Sequence, residues 1–134
     1  MYLLDTNICI YAMKSKFPEL TKKLFEISPT EICISSVTVG ELAYGVAKSK
    51  QKERSKQVLD IFLSAYNILP FDDEDAMAFG EIRALLNSQG MPIGPYDLQI
   101  AAQGVSKGLI VVTHNVKEFC RISNLTFEDW VVSL

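Results

Sequence analysis

The chain has 134 residues, with 13 Lys and Arg against 16 Asp and Glu, a formal net charge of −3 and a pI near 5.1. At 49% hydrophobic and 22% charged residues the composition is globular, and the length predicts one domain over residues 1–134. Apolar stretches of no more than four or five residues, such as 109–112, exclude a membrane helix, and the acidic balance excludes a protein held on nucleic acid by net positive charge alone.

The charge is uneven: residues 1–56 carry nine basic and six acidic side chains, and residues 57–134 carry four and ten. The opening MYLLDTN has no basic segment ahead of an apolar one, so no signal peptide is read. Cys9, Cys33 and Cys120 have no CxxC or zinc spacing and sit in apolar surroundings, so all three are expected as buried thiols in a reducing cytoplasm.

Short β-like runs alternate with longer helical ones. Tyr2–Leu4 reads as a strand ending at Asp5, after which Thr6 offers an N-cap for a helix through Met13. Pro18 suits the first turn of a second helix, Glu19–Ile27. Tyr11, Met13, Phe17, Leu24 and Phe25 are expected mainly in the core by their helical spacing. Ile32-Cys33-Ile34 is a buried strand stopped by Ser35-Ser36, and Val37–Ala47 is helical. A charged and then amphipathic helix covers Lys48–Asn67, with Val58, Leu59, Ile61, Phe62 and Ala65 as its inner face.

Ile68–Phe71 is a short strand, and the acids of Asp72–Asp75 suit the positive end of the next helix. Its inner face is Ala76, Phe79, Ile82, Leu85 and Leu86, and Gly90 ends it. Met91–Pro95 is a loop before a helix from Tyr96 to Lys107. Leu109–Thr113 is a continuous apolar strand of the kind a parallel sheet buries on both faces, Asn115–Cys120 is a short helix, and an edge strand falls within Leu125–Val132. Strands separated by helices predict a three-layer α/β/α sandwich around a parallel sheet, with its ligand site outside the carboxyl ends of the strands.

Several carboxylates gather at that edge. Asp5 follows the first strand and Asp97 opens a helix after the Pro92–Pro95 loop; each also reads as a dipole-favoured helix acid. Glu41 sits in the apolar helix VTVGELAYGVA between Gly40 and Gly45, on its solvated edge or facing the pocket, and the glycines suggest close approach of a backbone or ligand. Glu118 lies just past the apolar strand and also reads as an exposed helix acid. Three or four acids in one small site require a cation, and oxygen-only ligands suit Mg²⁺ or Mn²⁺ and hence phosphodiester or phosphoryl chemistry.

LLDTN, ISSVTVGELAYG, PIGPYDLQIAA and VVTHNVKEF, in that order, resemble the PIN domain, and with the closing FEDW they resemble more closely the VapC-type toxins of toxin–antitoxin pairs. The resemblance implies a Rossmann-like sandwich and a metal-dependent endoribonuclease. Asp5, Glu41 and Asp97 match the family's main acids, Glu118 is the fourth acid with Asn115 beside it, and Thr6, Asn7, Ser35, Ser36 and Thr113 are candidates for positioning waters or acids. Asp5 and Asp97 would bind Mg²⁺, with Glu41 and Glu118 completing the site, and cleavage would leave a 3′-hydroxyl and a 5′-phosphate. The same resemblance implies a tRNA substrate, with initiator tRNA cut in its anticodon stem-loop. It also implies a cognate antitoxin whose side chain enters the acid pocket, and a homodimer within a larger complex.

Lys48, Lys50, Lys52, Arg54 and Lys56 read either as a solvated face or as a phosphate-contacting rim. His114, the only histidine, lies beside the presumed site. Two other readings stand against a nuclease. In a receiver or haloacid-phosphatase fold Asp5 would be a phosphorylated nucleophile, although Asn7 stands where the phosphatases carry a second Asp. A PIN-like module could bind RNA or protein without catalysis.

Overall fold

The computed structural model describes residues 1–132. Five strands, β1 (Tyr2–Leu4), β2 (Ile32–Ser35), β3 (Asn67–Leu69), β4 (Ile110–Val112) and β5 (Thr126–Glu128), form one sheet in the order β3-β2-β1-β4-β5. Every pairing is parallel, with Leu3 opposite Cys33 and Val111, and Leu4 opposite Ile34 and Val112. The helices are α1 (Thr6–Met13), α2 (Pro18–Glu26), α3 (Ser36–Ala47), α4 (Lys52–Ser64), α5 (Asp73–Ser88), α6 (Pro95–Lys107) and α7 (Val116–Phe119).

Because strand side chains alternate, each central strand feeds two cores. Leu3, Cys33 and Val111 pack with Ile82 and Leu86 of α5, Leu98 and Ala101 of α6, and Phe119 of α7. Leu4, Ile34 and Val112 face the other way, against Ile8 of α1, Leu20 of α2, Leu42 of α3 and Leu59 of α4. These are the three layers expected from the alternation of strands and helices. Among the described residues no helix is long and apolar enough to cross a membrane.

Several details differ from the expectation. Asp5, not Thr6, caps α1: its Oδ1 accepts the backbone N–H of Ile8 at 2.8 Å. The longer helix predicted from Lys48 begins at Lys52, because Lys48–Gln51 forms the turn out of α3. The inner face of α4 is Leu59, Phe62 and Leu63, with Tyr66 beyond its end, while Val58, Ala65 and Ile61 (73% exposed) face outward. The apolar residues of α4 run around more than one stripe, so spacing alone chose a face rotated from the true one. On α5, Ala76 and Leu85 are likewise exposed, and Asp75 takes a buried position as the N3 partner of an Asp72 capping box. Phe25 is 87% exposed although the rest of its group is at least partly buried. Cys9 and Cys33 are buried as expected, but Cys120 is exposed at the end of the short α7.

α6 is buried at Leu98 and from Ile100 to Gly104. A Cβ on Gly104 would lie 2.5 Å from Cγ2 of Val111 and 3.2 Å from Cδ1 of Leu125. Val111 is fully buried in β4 and, being β-branched, cannot swing aside. Gly104→Ala is therefore expected to destabilise the fold by about 1–3 kcal/mol despite the better helix propensity of Ala, measured by urea unfolding. A stability equal to the parent's would show that α6 can lift from the sheet.

Candidate active site

β1 and β4 end side by side, and the next residue of each, Asp5 and Thr113, is buried. The Asp5 backbone N–H donates to the carbonyl of Val112 at 3.0 Å, continuing the ladder by one bond. Asp5 is thus fixed by its main chain and by its cap to Ile8, and the neighbouring Thr113 hydroxyl favours its ionised form. Thr113 Oγ1 in turn accepts the N–H of Asn115 at 2.9 Å, which shapes the loop into α7.

Glu41 comes from the middle of α3 on the face that meets α1. The Thr6 hydroxyl donates to Glu41 Oε1 at 2.7 Å and, its one hydrogen spent, accepts from Thr38 Oγ1 at 3.0 Å. Thr38 is fully buried one turn before Glu41. The sequence reading missed it; a hydroxyl at i−3 of an acid in an apolar helix is the signal that pointed to it. Asp97 sits in the first turn of α6, where Gly94 and Pro95 set the helix start. Asn115 spends both amide hydrogens on acids, one on Asp97 Oδ2 at 3.2 Å and one on Glu118 Oε2.

The fold thus brings Asp5, Glu41, Asp97 and Glu118 to one edge, and the charges sense one another. Burial pushes Asp5 up to about 6, the charge of Glu41 adding to it, against the Thr113 and Ile8 hydrogen bonds. Asp97 is also pushed up to about 6, first by burial and then by the charge of Asp5, with Glu118 contributing and Asn115 opposing. Among the described residues no three acidic, His or Cys side chains close on a single point. Each acid is held by a protein donor instead. The donor set is oxygen-only, two of its carboxyls are reluctant to ionise together, and it belongs on a hard divalent cation.

The other candidates divide. Thr6, Thr113 and Asn115 position acids. Ser35 does not: it caps α3 by accepting the N–H of Val37, and Ser36 accepts that of Phe71. Asn7 is exposed and lines, with Thr6 and Glu41, a groove of about 1360 Å³ between α1, α3 and α4. Nothing approaches Gly40 or Gly45 within 4 Å; both border this groove, so they keep its wall low rather than admit a backbone. Of the basic run, Lys48 and Arg54 flank the groove, Lys50 lies on the turn beside it and Lys52 opens α4. Lys56 is instead paired with Asp60 at 3.0 Å along α4. Of the early aromatic and apolar group only Met13 reaches the groove.

A parallel sandwich with four acids gathered at the carboxyl edge of its sheet is what the resemblance to the PIN-domain ribonucleases implies. The model of the PIN domain matches residues 2–125, and the chain belongs to that family. Within it, the chain is 44% identical to the tRNA(fMet)-specific endonuclease VapC of Salmonella typhimurium over 129 residues, 96% of this chain and 97% of that one. It is 43% identical to ribonuclease VapC2 of Rickettsia felis over 132 residues, 97% and 98% of the two chains. Its fold superposes on VapBC2 of Rickettsia felis bound to a promoter DNA fragment with a TM-score of 0.91 at 42% identity, covering 96% of this chain and 98% of the other. DNA-bound VapBC of Salmonella typhimurium gives a TM-score of 0.91 at 43% identity, covering 96% and 97%. The family match decides against the receiver and haloacid-phosphatase readings.

Proposed function

We propose that this chain is the toxin of a toxin–antitoxin pair: an Mg²⁺-dependent endoribonuclease that stops translation by cutting initiator tRNA in the anticodon stem-loop. The observation that carries this reading is the convergence of four carboxylates at one sheet edge, with Asp5 buried and held by Ile8, Glu41 held by Thr6, and Asp97 and Glu118 bridged by Asn115. The tRNA is inferred from the name of the Salmonella relative.

Asp5 and Asp97 would hold the ion, with Glu41 and Glu118 beside it. The chemistry a bound Mg²⁺ supplies is neutralisation of charge on the phosphate and a lower pKa for a water. Asp5 serves as the rigid member, since its backbone and its Oδ1 are fixed. Glu41, aimed by Thr6 and Thr38, is placed to accept a proton from the attacking water. Asn115 bridges Asp97 and Glu118 through its amide nitrogen. In-line attack of water on phosphorus breaks the bond to the 3′ oxygen, which leaves with a proton as a 3′-hydroxyl, and the new 5′ end keeps the phosphate.

Lys48, Lys50, Lys52 and Arg54 form the basic side of the approach, which reconciles a net charge of −3 with an RNA substrate. The groove running from Glu41 along Met13, Tyr44 and Leu59 fits a segment of a cognate VapB-type antitoxin that enters the acid pocket with one side chain. We also propose a cytoplasmic location and a homodimer within the larger toxin–antitoxin complex.

The deciding experiment is sequencing of RNA 5′ ends after brief induction, the wild type against Asp97→Asn. New 5′-phosphate ends in the initiator tRNA anticodon loop, absent with Asp97→Asn, are expected; the same ends from both proteins would overturn the assignment. Charge reversal at Lys50 and Lys52 together is expected to weaken RNA binding and lower the salt slope by about 2. An unchanged slope in a salt titration would remove the basic rim.

A further inference from the structure

The carboxyl edge also carries a polar pair that the acid site does not use. Between Thr113 and Asn115, both committed to acids, His114 turns towards the end of β5. Its Nδ1 lies 2.9 Å from Oδ2 of Asp129, whose Oδ1 accepts the N–H of Val131 at 2.9 Å. A carboxylate only accepts, so the ring hydrogen sits on Nδ1 and Nε2 faces away from Asp129. Asp129 is largely buried, whereas the His114 side chain is 42% exposed. The ring packs at 6.1 Å between centroids, tilted by 51°, against Phe17, which Tyr11 holds edge-on at 5.0 Å. The Lys16 ammonium lies 5.3 Å from the centre of the Phe17 ring.

A plain structural tie between β5 and the exit of β4 needs the His114–Asp129 bond and nothing more. It does not call for two tilted aromatic rings and an ammonium on the same rim. His114 follows Thr113 at the end of β4, beside Asp5 at the end of β1, so this rim adjoins the acid pocket. In the sheet order it lies on the β4–β5 side, while the basic turn after α3 lies towards β2 and β3.

We propose that His114 and Phe17 form a platform that receives the nucleotide beside the scissile phosphate, its base stacking on the exposed ring of His114 against the half-buried Phe17 while Lys16 meets a flanking phosphate. Asp129 is a positioning residue that acts through His114. This rests on the reading of the acid site as a ribonuclease centre. Unpaired bases of an RNA loop are the ligands such a surface takes, because every base offers a π-face to an aromatic ring.

The test uses the whole chain and an initiator tRNA anticodon stem-loop transcript. Steady-state cleavage with Mg²⁺ compares the wild type with His114→Ala, His114→Phe, Phe17→Leu and Asp129→Asn. In parallel, binding of the labelled transcript is measured for Asp97→Asn with and without His114→Ala. Losing one stack corresponds to roughly a tenfold change, so His114→Ala and Phe17→Leu are expected to raise KM about tenfold with kcat within a factor of about three. His114→Phe should recover most of KM, and Asp129→Asn should fall between. The binding arm should show the same tenfold weakening. Unchanged KM and binding, or a loss confined to kcat, or no recovery by His114→Phe in a protein that melts like the parent, would overturn the platform. Failure of the wild type to cleave would count against the ribonuclease reading alone, since the binding arm still reads the platform.

Discussion

Asp5→Asn is expected to cleave RNA at least about 10³-fold more slowly than the parent, the loss of several kcal/mol of charge stabilisation at the phosphate, and yet to melt at a higher temperature. The two effects come from one property. Asp5 is 2% exposed and its carboxyl is raised from 3.8 to about 6, mainly by burial. Above about pH 6 the fold therefore carries an ionised group it disfavours, at a cost on the order of 2–3 kcal/mol. Asn removes the charge while its Oδ1 can still accept the N–H of Ile8, so the cap of α1 survives. The neighbouring Thr113 hydroxyl, which favours the Asp5 carboxylate, meets a weaker acceptor in Asn, which returns about 1 kcal/mol. The net gain of about 1–2 kcal/mol should raise Tm by several degrees at pH 8 without metal. Asp5→Ala is the contrasting variant: it is equally inactive but also loses the cap, worth about 0.5–2 kcal/mol. Calorimetry and a cleavage time course on the three proteins decide the matter. An active Asp5→Asn would remove Asp5 from the chemistry, and an inactive one less stable than Asp5→Ala would show that the carboxylate is structural.

How far the sequence carried the reading follows from which forces are local. β4 was visible as a continuous apolar run because both faces of a central parallel strand are buried. Asp5, Glu41, Asp97 and Glu118 were visible because acids at strand ends and in an apolar helix go against the local pattern. The family motifs then made them one set. The direction α4 faces was not legible, since Ile61 and Phe62 are neighbours of equal hydrophobicity and only the position of β2 and α3 decides which is buried. Nor was the double duty of Asp5: a residue before a helix reads as either a cap or a site acid, and here it is both. Thr38 and the His114–Asp129 pair depend on contacts across 32 and 15 positions respectively. No local periodicity records such contacts. Asp75, read only as one of the acids at a helix start, is fully buried because Gln103 and Lys107 of α6 reach it.

The metal-free protein should be more stable near pH 5 than near pH 8, the reverse of most domains, and Mg²⁺ should remove the difference. The sign follows from Asp5 and Asp97, both raised from 3.8 to about 6. Between those values the folded protein binds more protons than the unfolded one, so stability falls as pH rises through this window and is flat above it. Asp72 works in the opposite direction, because its bond to Lys107 lowers its pKa, but that stabilisation is lost only as pH drops below the usual carboxylate range. The two windows do not overlap, so the stability maximum should lie between them. A divalent cation binds the ionised pair and competes with its protons, so its stabilisation should be large at pH 8 and nearly absent at pH 5. At about a hundredfold excess over Kd it amounts to about 2.7 kcal/mol. Melting curves at both pH values, with and without Mg²⁺, check this directly. In Asp5→Asn/Asp97→Asn the pH slope and the Mg²⁺ shift should vanish together, since both arise from the same two charges. A Mg²⁺ shift of equal size at pH 5 and pH 8, or one that survives in the double variant, would place the ion elsewhere and leave the two acids without their partner.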